Sequence, residues 1–180
     1  KFGAEKGNEY LSVFSKLMRQ ILEFSREKFI SIDDEVETLT NYLQMQQMLH
    51  QDKFTYQIEV DENLATDMEG IPPMFAQPII ENALEHGLFH KSAENHIHIA
   101  FQKLNDQQIK LTISDNGTGF QNAQSEVNHQ SLSTVITRER LEILEKQTQQ
   151  KTAYQAQNML DALGKVMGAK VELDLPLVAV

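Results

Sequence analysis

The sequence predicts an α/β sandwich: a mixed, mostly antiparallel sheet covered by helices and preceded by a helical segment. Three observations carry that reading. Helical periodicity fills the first fifty residues, and two-residue alternation begins soon after His50. The stretches beyond it then run strand, helix, two strands, loop, helix, two strands. A doubly wound parallel sheet would instead alternate strand and helix regularly. The expected division is a helical part over residues 1–50 and an α/β part over 51–180.

Each element has its own signal. Tyr10, Phe14, Leu17, Ile21 and Phe24 recur at steps of four and three, the spacing of a coiled-coil seam or helical hairpin. This places a helix over about 8–27. Ser31 is a helix cap, and Asp33, Asp34 and Glu35 suit the positive end of a helix. Ile32, Val36, Leu39 and Leu43 then form the apolar stripe of a helix over 32–49. The seam fits dimerisation through these helices; packing on their own domain is the other reading. Phe54, Tyr56, Ile58 and Val60 alternate as in a half-buried strand. Pro72 and Pro73 suit the opening of a helix from about Met74 to Leu88. Strands over 95–103 and 108–114 pair about a turn at Asn105-Asp106. A polar stretch over 121–130 precedes a helix over 132–148. Strands over 152–159 and 169–175 close the chain, joined by a turn holding Gly164 and Gly168.

Composition bounds the function. Cysteine is absent, which excludes disulfides and thiolate chemistry. A net charge of −10 argues against nucleic acid as the main partner. It still allows a small anion held by backbone dipoles. No uninterrupted apolar run approaches the roughly 20 residues a spanning helix needs. The chain opens at Lys1 without a start methionine and reads as a piece of a longer one.

Two segments carry chemistry. In Gln77-Pro-Ile-Ile-Glu-Asn-Ala-Leu-Glu-His-Gly87, helical spacing puts Pro78, Asn82 and Glu85 or His86 on one face. The Asn82 carbonyl oxygen suits Mg²⁺, which keeps most of its waters and takes few protein ligands; a local hydrogen bond or cap is the plainer role. In Ile113-Ser-Asp-Asn-Gly-Thr-Gly-Phe120, a carboxylate ends a buried strand, where it can accept from an exocyclic amino group such as that of adenine. The glycines let backbone approach a ligand. Asn-Gly is also a hairpin signal, although no alternating strand follows it.

Together, in this order and spacing, the segments resemble the GHKL, or Bergerat-fold, ATP-binding domain, most of all that of LytS-type sensor histidine kinases. Residues 77–87 resemble that family's N box, and Asp115-Asn-Gly-Thr-Gly-Phe120 its first glycine box. Arg138-Glu-Arg-Leu141 resembles the end of the second glycine box, and Gly168–Pro176 the closing strand. Residues 17–25 through Tyr42-Leu43 resemble the second dimerisation helix and the segment after it.

The resemblance implies roles. Asn82 holds Mg²⁺ against the ATP phosphates and, with Glu81 beside it, is the catalytic candidate. Asp115 reads the adenine amino group, and Gly117 and Gly119 shape its pocket. Glu85 and His86 lie near the nucleotide. Residues 121–130 form a mobile lid. Ser131, Ser133 and Thr134, with the free amides of a helix beginning near Ser131, face the phosphates. The implied setting is a cytoplasmic homodimer formed through the N-terminal helices, acting on a response regulator. Any membrane anchor lies in other parts of the full chain.

The sequence departs from the family twice. Ser131-Leu-Ser-Thr134 stands where the second glycine box reads Gly-x-Gly-Leu, so hydroxyls replace bare backbone beside the phosphates. No histidine precedes His50, so the acceptor histidine is missing from this stretch, and these residues are expected not to phosphorylate themselves. Two other functions stay open. A GHKL ATPase needs a glutamate four residues before the asparagine, where this chain has Pro78. A non-catalytic, nucleotide-responsive dimeric module would tolerate the altered box. His96 and His98 share a strand face, as a metal-binding pair or as a solvated surface.

Overall fold

The computed structural model describes residues 4–51, 53–88, 94–120 and 132–180. Helix α1 spans Ala4–Phe24 and α2 spans Ile32–Leu49, with the two-residue strand β1, Ile30–Ser31, between them. Strands β2 (Phe54–Val60) and β3 (Glu69–Ile71) follow. Helix α3, Gln77–Asn82, runs directly into a π-helical turn over Ala83–Leu88. Then come β4 (Asn95–Asn105), β5 (Gln108–Asp115), α4 (Leu132–Thr148), β6 (Ala153–Leu160), β7 (Val166–Pro176) and β8 (Val178–Ala179).

The main sheet has the order β2-β4-β5-β7-β6. Only β2 and β4 pair in parallel; the other three pairs are antiparallel. Strict alternation divides its faces. Ile97, Ile99 and Phe101 of β4, Ile109, Leu111 and Ile113 of β5, and Val171, Leu173 and Leu175 of β7 are buried. Ile32, Leu39 and Leu43 of α2, Ile79 and Ile80 of α3, and Leu141 and Leu144 of α4 join them in one core. The opposite face, with His96, His98, Thr112, Ser114, Lys170 and Glu172, is half-buried. The expected mixed sheet with helices on one side is the fold observed.

Helix α2 starts where the cap and the acidic turn place it. The Asp34 N–H donates to Ser31 Oγ at 3.1 Å, and Asp33, Asp34 and Glu35 occupy the first turn. Its inner face reaches the main core, and β1 ahead of it pairs with β3 in a second, three-stranded sheet closed by β8.

Helix α1 packs along α2, with Leu17 buried and Ile21 set against the core. Lys16 Nζ donates to Glu37 at 2.7 Å, Gln20 Nε2 donates to Glu37 at 2.8 Å, and Asn41 Nδ2 donates to Gln20 at 2.8 Å. The expected seam therefore splits. Leu17 is buried and Ile21 packs against the core, Tyr10 and Phe24 are half-buried and Phe14 is exposed, as are Leu11, Met18 and Leu22, which lie outside that seam.

Two local expectations are corrected. The helix expected from Met74 begins only at Gln77, and it is Pro78 that sits in its first turn. Met74 has a φ of 58°, a left-handed conformation that cannot start a helix. Gly168, expected in the final turn, lies within β7. A Cβ there would strike the carbonyl oxygen of Asp115 and the Cα of Asn116. The glycine is thus needed for close strand packing, not for reversal of the chain.

Candidate functional site

The burial alternation of β5 ends on a carboxylate. Ile109, Leu111, Ile113 and Asp115 occupy its buried positions in turn. Asp115 thus sits on the apolar side of the sheet, opposite Ile97 of β4 and Ala169 of β7. Its Oδ1 accepts from the Gly117 N–H at 2.8 Å. A buried carboxylate is costly to fold unless it is hydrogen-bonded, so its place here is a chemical signal.

The loop after it is held from both sides. The Asn116 N–H donates to the His96 carbonyl at 3.2 Å. Asn116 Oδ1 accepts from the His96 N–H at 2.8 Å, and its Nδ2 donates to the Glu94 carbonyl at 2.8 Å. Asn116 therefore extends the β4–β5 ladder and does not form a hairpin turn with Gly117. On the far side, Asn158 of β6 accepts from the Phe120 N–H at 2.6 Å and donates to its carbonyl at 3.1 Å. Gly119, with φ 70°, lies against Asn158 and Val166, where a Cβ would meet both side chains. Asn158 was not foreseen; an asparagine beside Gln155 and Gln157 in a largely exposed edge strand gives no sequence signal.

The second segment enters from above. In α3 and the π turn, Ile79, Ile80, Ala83 and Leu84 are buried, Asn82 is half-buried, and Glu81 and Glu85 are exposed. The π turn contacts β5, the strand that carries Asp115, and its neighbour β7. Bonding from i to i+5 widens this turn, so the α-helical spacing expected to bring Glu85 onto the face of Asn82 stops at Asn82. His86 lies in the same turn. Glu81 Oε1 accepts from Tyr42 Oη at 3.3 Å. Burial, then the Glu81 charge, push the tyrosine's pKa up.

Ser133 and Thr134 lie half-buried in the first turn of α4, and Ser133 O accepts from Thr137 Oγ1 at 2.8 Å. Ser131 and the expected lid over 121–130 lie outside the described residues, as do His90 and His129. His96 Nδ1 is 2.8 Å from Thr55 Oγ1, and His98 Nε2 is 3.2 Å from Glu59. Both rings are engaged by β2, and the described residues hold no cluster of three or more metal-binding side chains. No helix among them is long and apolar enough to cross a membrane.

Beneath α3 lies a buried charge whose only signal in the sequence is that of a helix start. Glu35 is fully buried, and burial pushes its pKa up to about 7, with the Met74 amide and then Arg140 pulling it back. The unfolded value is 4.5. Between the two, the folded state keeps a proton that the unfolded chain has released. Its contribution to stability is therefore full below pH 4.5 and lost as pH rises through about 7. Glu35→Gln is expected to remove this dependence. Unfolding by denaturant should show a gain on the order of 3 kcal/mol at about pH 8 and little change at about pH 4.

The fold is the one seen in solved catalytic domains of histidine kinases. The histidine kinase domain of the blue-light-activated kinase from Erythrobacter litoralis superposes with a TM-score of 0.61. That match is 15% identical and covers 98% of this chain and 76% of that one. The catalytic domain of histidine kinase ThkA superposes with a TM-score of 0.57 at 12% identity, covering 82% of this chain and 93% of that one. Sequence narrows the class. A family model described as histidine kinase matches residues 2–54. Sensor protein LytS of Oceanobacillus iheyensis is 34% identical over 118 residues, 66% of this chain and 20% of that protein. Sensor histidine kinase/phosphatase LytS of Staphylococcus aureus (strain MRSA252) is 26% identical over 120 residues, 67% of this chain and 20% of that protein. The chain spans about a fifth of the length of these curated relatives. It thus resembles LytS sensor proteins in sequence and the catalytic domains of other histidine kinases in fold.

Proposed function

We propose that this chain is the ATP-binding catalytic domain of a two-component sensor histidine kinase, presenting the γ-phosphate of Mg²⁺-ATP to a histidine on another segment. The observation that carries this reading is Asp115: a carboxylate at a buried strand end, ringed by a close-packed glycine loop. It would accept from the adenine amino group. Asn82, a half-buried residue in the other motif segment, would offer its carboxamide oxygen, a donor of the kind Mg²⁺ takes. Bound there, the ion would neutralise the phosphate oxygens. Ser133, Thr134 and the amide end of α4 would meet those oxygens, with Ser131 just ahead in the sequence. Gly117, Gly119, Glu85 and His86 would wall the nucleotide.

Positioning and charge stabilisation would then do most of the work. An acceptor imidazole is already nucleophilic, so no strong base is needed. Glu81 would suffice to take up the proton it releases.

The catalytic unit would begin near Phe29, ahead of β1 and α2, and not at residue 51. The exposed row Leu11, Phe14, Met18 and Leu22 has the heptad-like spacing of a homodimer seam. A response regulator would be the downstream partner and the cytoplasm the working compartment, with any membrane anchor elsewhere in the full chain. One solved relative, ThkA, was crystallised in complex with the response regulator TrrA.

Two outcomes test the site. Asn82→Ala should bind a non-hydrolysable ATP analogue as the parent does without Mg²⁺, and should lose the enhancement that Mg²⁺ gives. An equal Mg²⁺ effect in both proteins would remove Asn82 from the metal. With labelled ATP, these residues alone should stay unlabelled, whereas a supplied helix carrying the acceptor histidine should become labelled. Labelling of the chain alone would show an acceptor among its own residues.

A further inference from the structure

Helix α2 reaches the Asn82 segment at two polar points, seven residues apart on both sides. The Met74 N–H donates to Glu35 Oε2 at 3.1 Å, and Tyr42 Oη donates to Glu81 at 3.3 Å. The first contact is the unusual one. Glu35 is fully buried, and its Oε1 has no hydrogen-bond partner. Met74 holds a left-handed φ of 58°. From the other side, Arg140 of α4 donates through Nη1 to the Met74 carbonyl and through Nη2 to the Pro73 carbonyl, each at 2.8 Å. Its guanidinium lies 4.1 Å over the Phe75 ring. One short bend, immediately before α3, is thus gripped at its amide by α2 and at its carbonyls by α4.

Neither the buried carboxyl nor the left-handed methionine favours folding. An unpartnered buried oxygen and a positive φ on a side-chain-bearing residue both cost stability. An apolar residue in place of a buried charge is often neutral or better. Such costs gather where geometry must be fixed for a task.

We propose that Glu35 is a positioning residue of the nucleotide site, acting through the Met74 amide to set the line of α3 and hence the place of the Asn82 carboxamide. This rests on the nucleotide-binding reading above. Arg140 is the charged group that bears on Glu35, and through the Pro73 carbonyl it holds the opposite side of the same peptide. Turning or sliding α2 would move the bend, and Asn82 with it, without any contact between Glu35 and the nucleotide.

The test uses the full 180-residue chain with Glu35→Leu and Glu35→Gln. Amide hydrogen exchange over residues 74–84 is read without nucleotide. Affinity for a non-hydrolysable ATP analogue with Mg²⁺ and the midpoint of thermal unfolding are read beside it. Glu35→Leu should keep or raise the midpoint, speed exchange over 74–84, and weaken binding about tenfold or more. Glu35→Gln retains an acceptor oxygen for the Met74 amide and should stay within about threefold of the parent. Stability kept while affinity falls is a signature that a merely structural residue would not give. Parental exchange and affinity in Glu35→Leu would overturn the proposal, as would exchange that rises equally throughout the core. Should the leucine variant not fold, Glu35→Asp keeps the charge one methylene short of the amide and gives the same contrast with glutamine. A parent chain that binds no nucleotide would sink the site reading and this role together. A binding parent whose variants show no response would sink Glu35 alone.

Discussion

Asp115→Asn should weaken adenine nucleotide binding by roughly 30- to 100-fold, the loss of a charge-assisted hydrogen bond in a buried place (~2–3 kcal/mol). The carboxylate has a double duty. It holds the Gly117 amide at 2.8 Å, and on this account it also accepts from the adenine amino group. An asparagine can keep one of these bonds through its oxygen, but its NH₂ then faces a group that also donates. Base selectivity gives the sharper form of the prediction. Inosine triphosphate carries an oxygen where adenosine triphosphate carries the amino group, so the wild-type carboxylate would face a second acceptor and reject it. A site built to hydrogen-bond a group discriminates strongly against the analogue that lacks it. Asp115→Asn should narrow that gap, because the amide can donate to the inosine oxygen. Equal affinity of the wild type for the two nucleotides would remove Asp115 from base recognition.

A chain starting at residue 51 should fail to fold, whereas one starting at residue 29 should fold and bind nucleotide. Residues 30–43 contribute Ile30, Ile32, Leu39, Tyr42 and Leu43 to the interior, with Ile32, Leu39 and Leu43 wholly buried. Burying each such side chain stabilises by roughly 1.5–3 kcal/mol. Their combined loss rivals the roughly 5–15 kcal/mol that holds a whole domain together. The shorter chain would also lose β1, the Tyr42 tie to Glu81 and the Glu35 grip on Met74. Removing α1 gives up mainly Leu17, part of Ile21 and the polar contacts of Lys16 and Gln20, a much smaller loss. Circular dichroism and a thermal melt of the two truncated proteins decide it. A cooperative melt from the 51–180 protein would contradict this account of where the catalytic unit begins.

The parts of the fold governed by local rules were legible in the sequence. Helix α2 spans Ile32–Leu49 as its cap and acidic turn indicate, and α4 spans Leu132–Thr148 as its pattern does. Alternation placed β2, β4 and β5 to within a residue or two. The illegible parts are those set by packing between distant segments. Strands β1, β3 and β8 hold two or three residues each, too few to show any period, so the minor sheet was not foreseen. The left-handed Met74 and the π turn after Asn82 carry no local signal. Nor does a glycine such as Gly168, which is needed because another strand passes close to it. For the candidate site, Asp115 was readable as the polar end of an apolar strand and Asn82 as a poor helix former within an apolar helix. Asn158, Arg140 and the positioning of α3 by Glu35 were not readable, because their partners lie 38, 66 and 39 residues away along the chain.

Calorimetric titration of this chain with a non-hydrolysable ATP analogue, with and without Mg²⁺, is the first experiment to perform. A catalytic domain of this kind should show saturable binding of one nucleotide per chain, tighter with Mg²⁺. Absence of binding at millimolar nucleotide, by a chain whose thermal melt shows it folded, would contradict it and leave a histidine kinase fold without its nucleotide site.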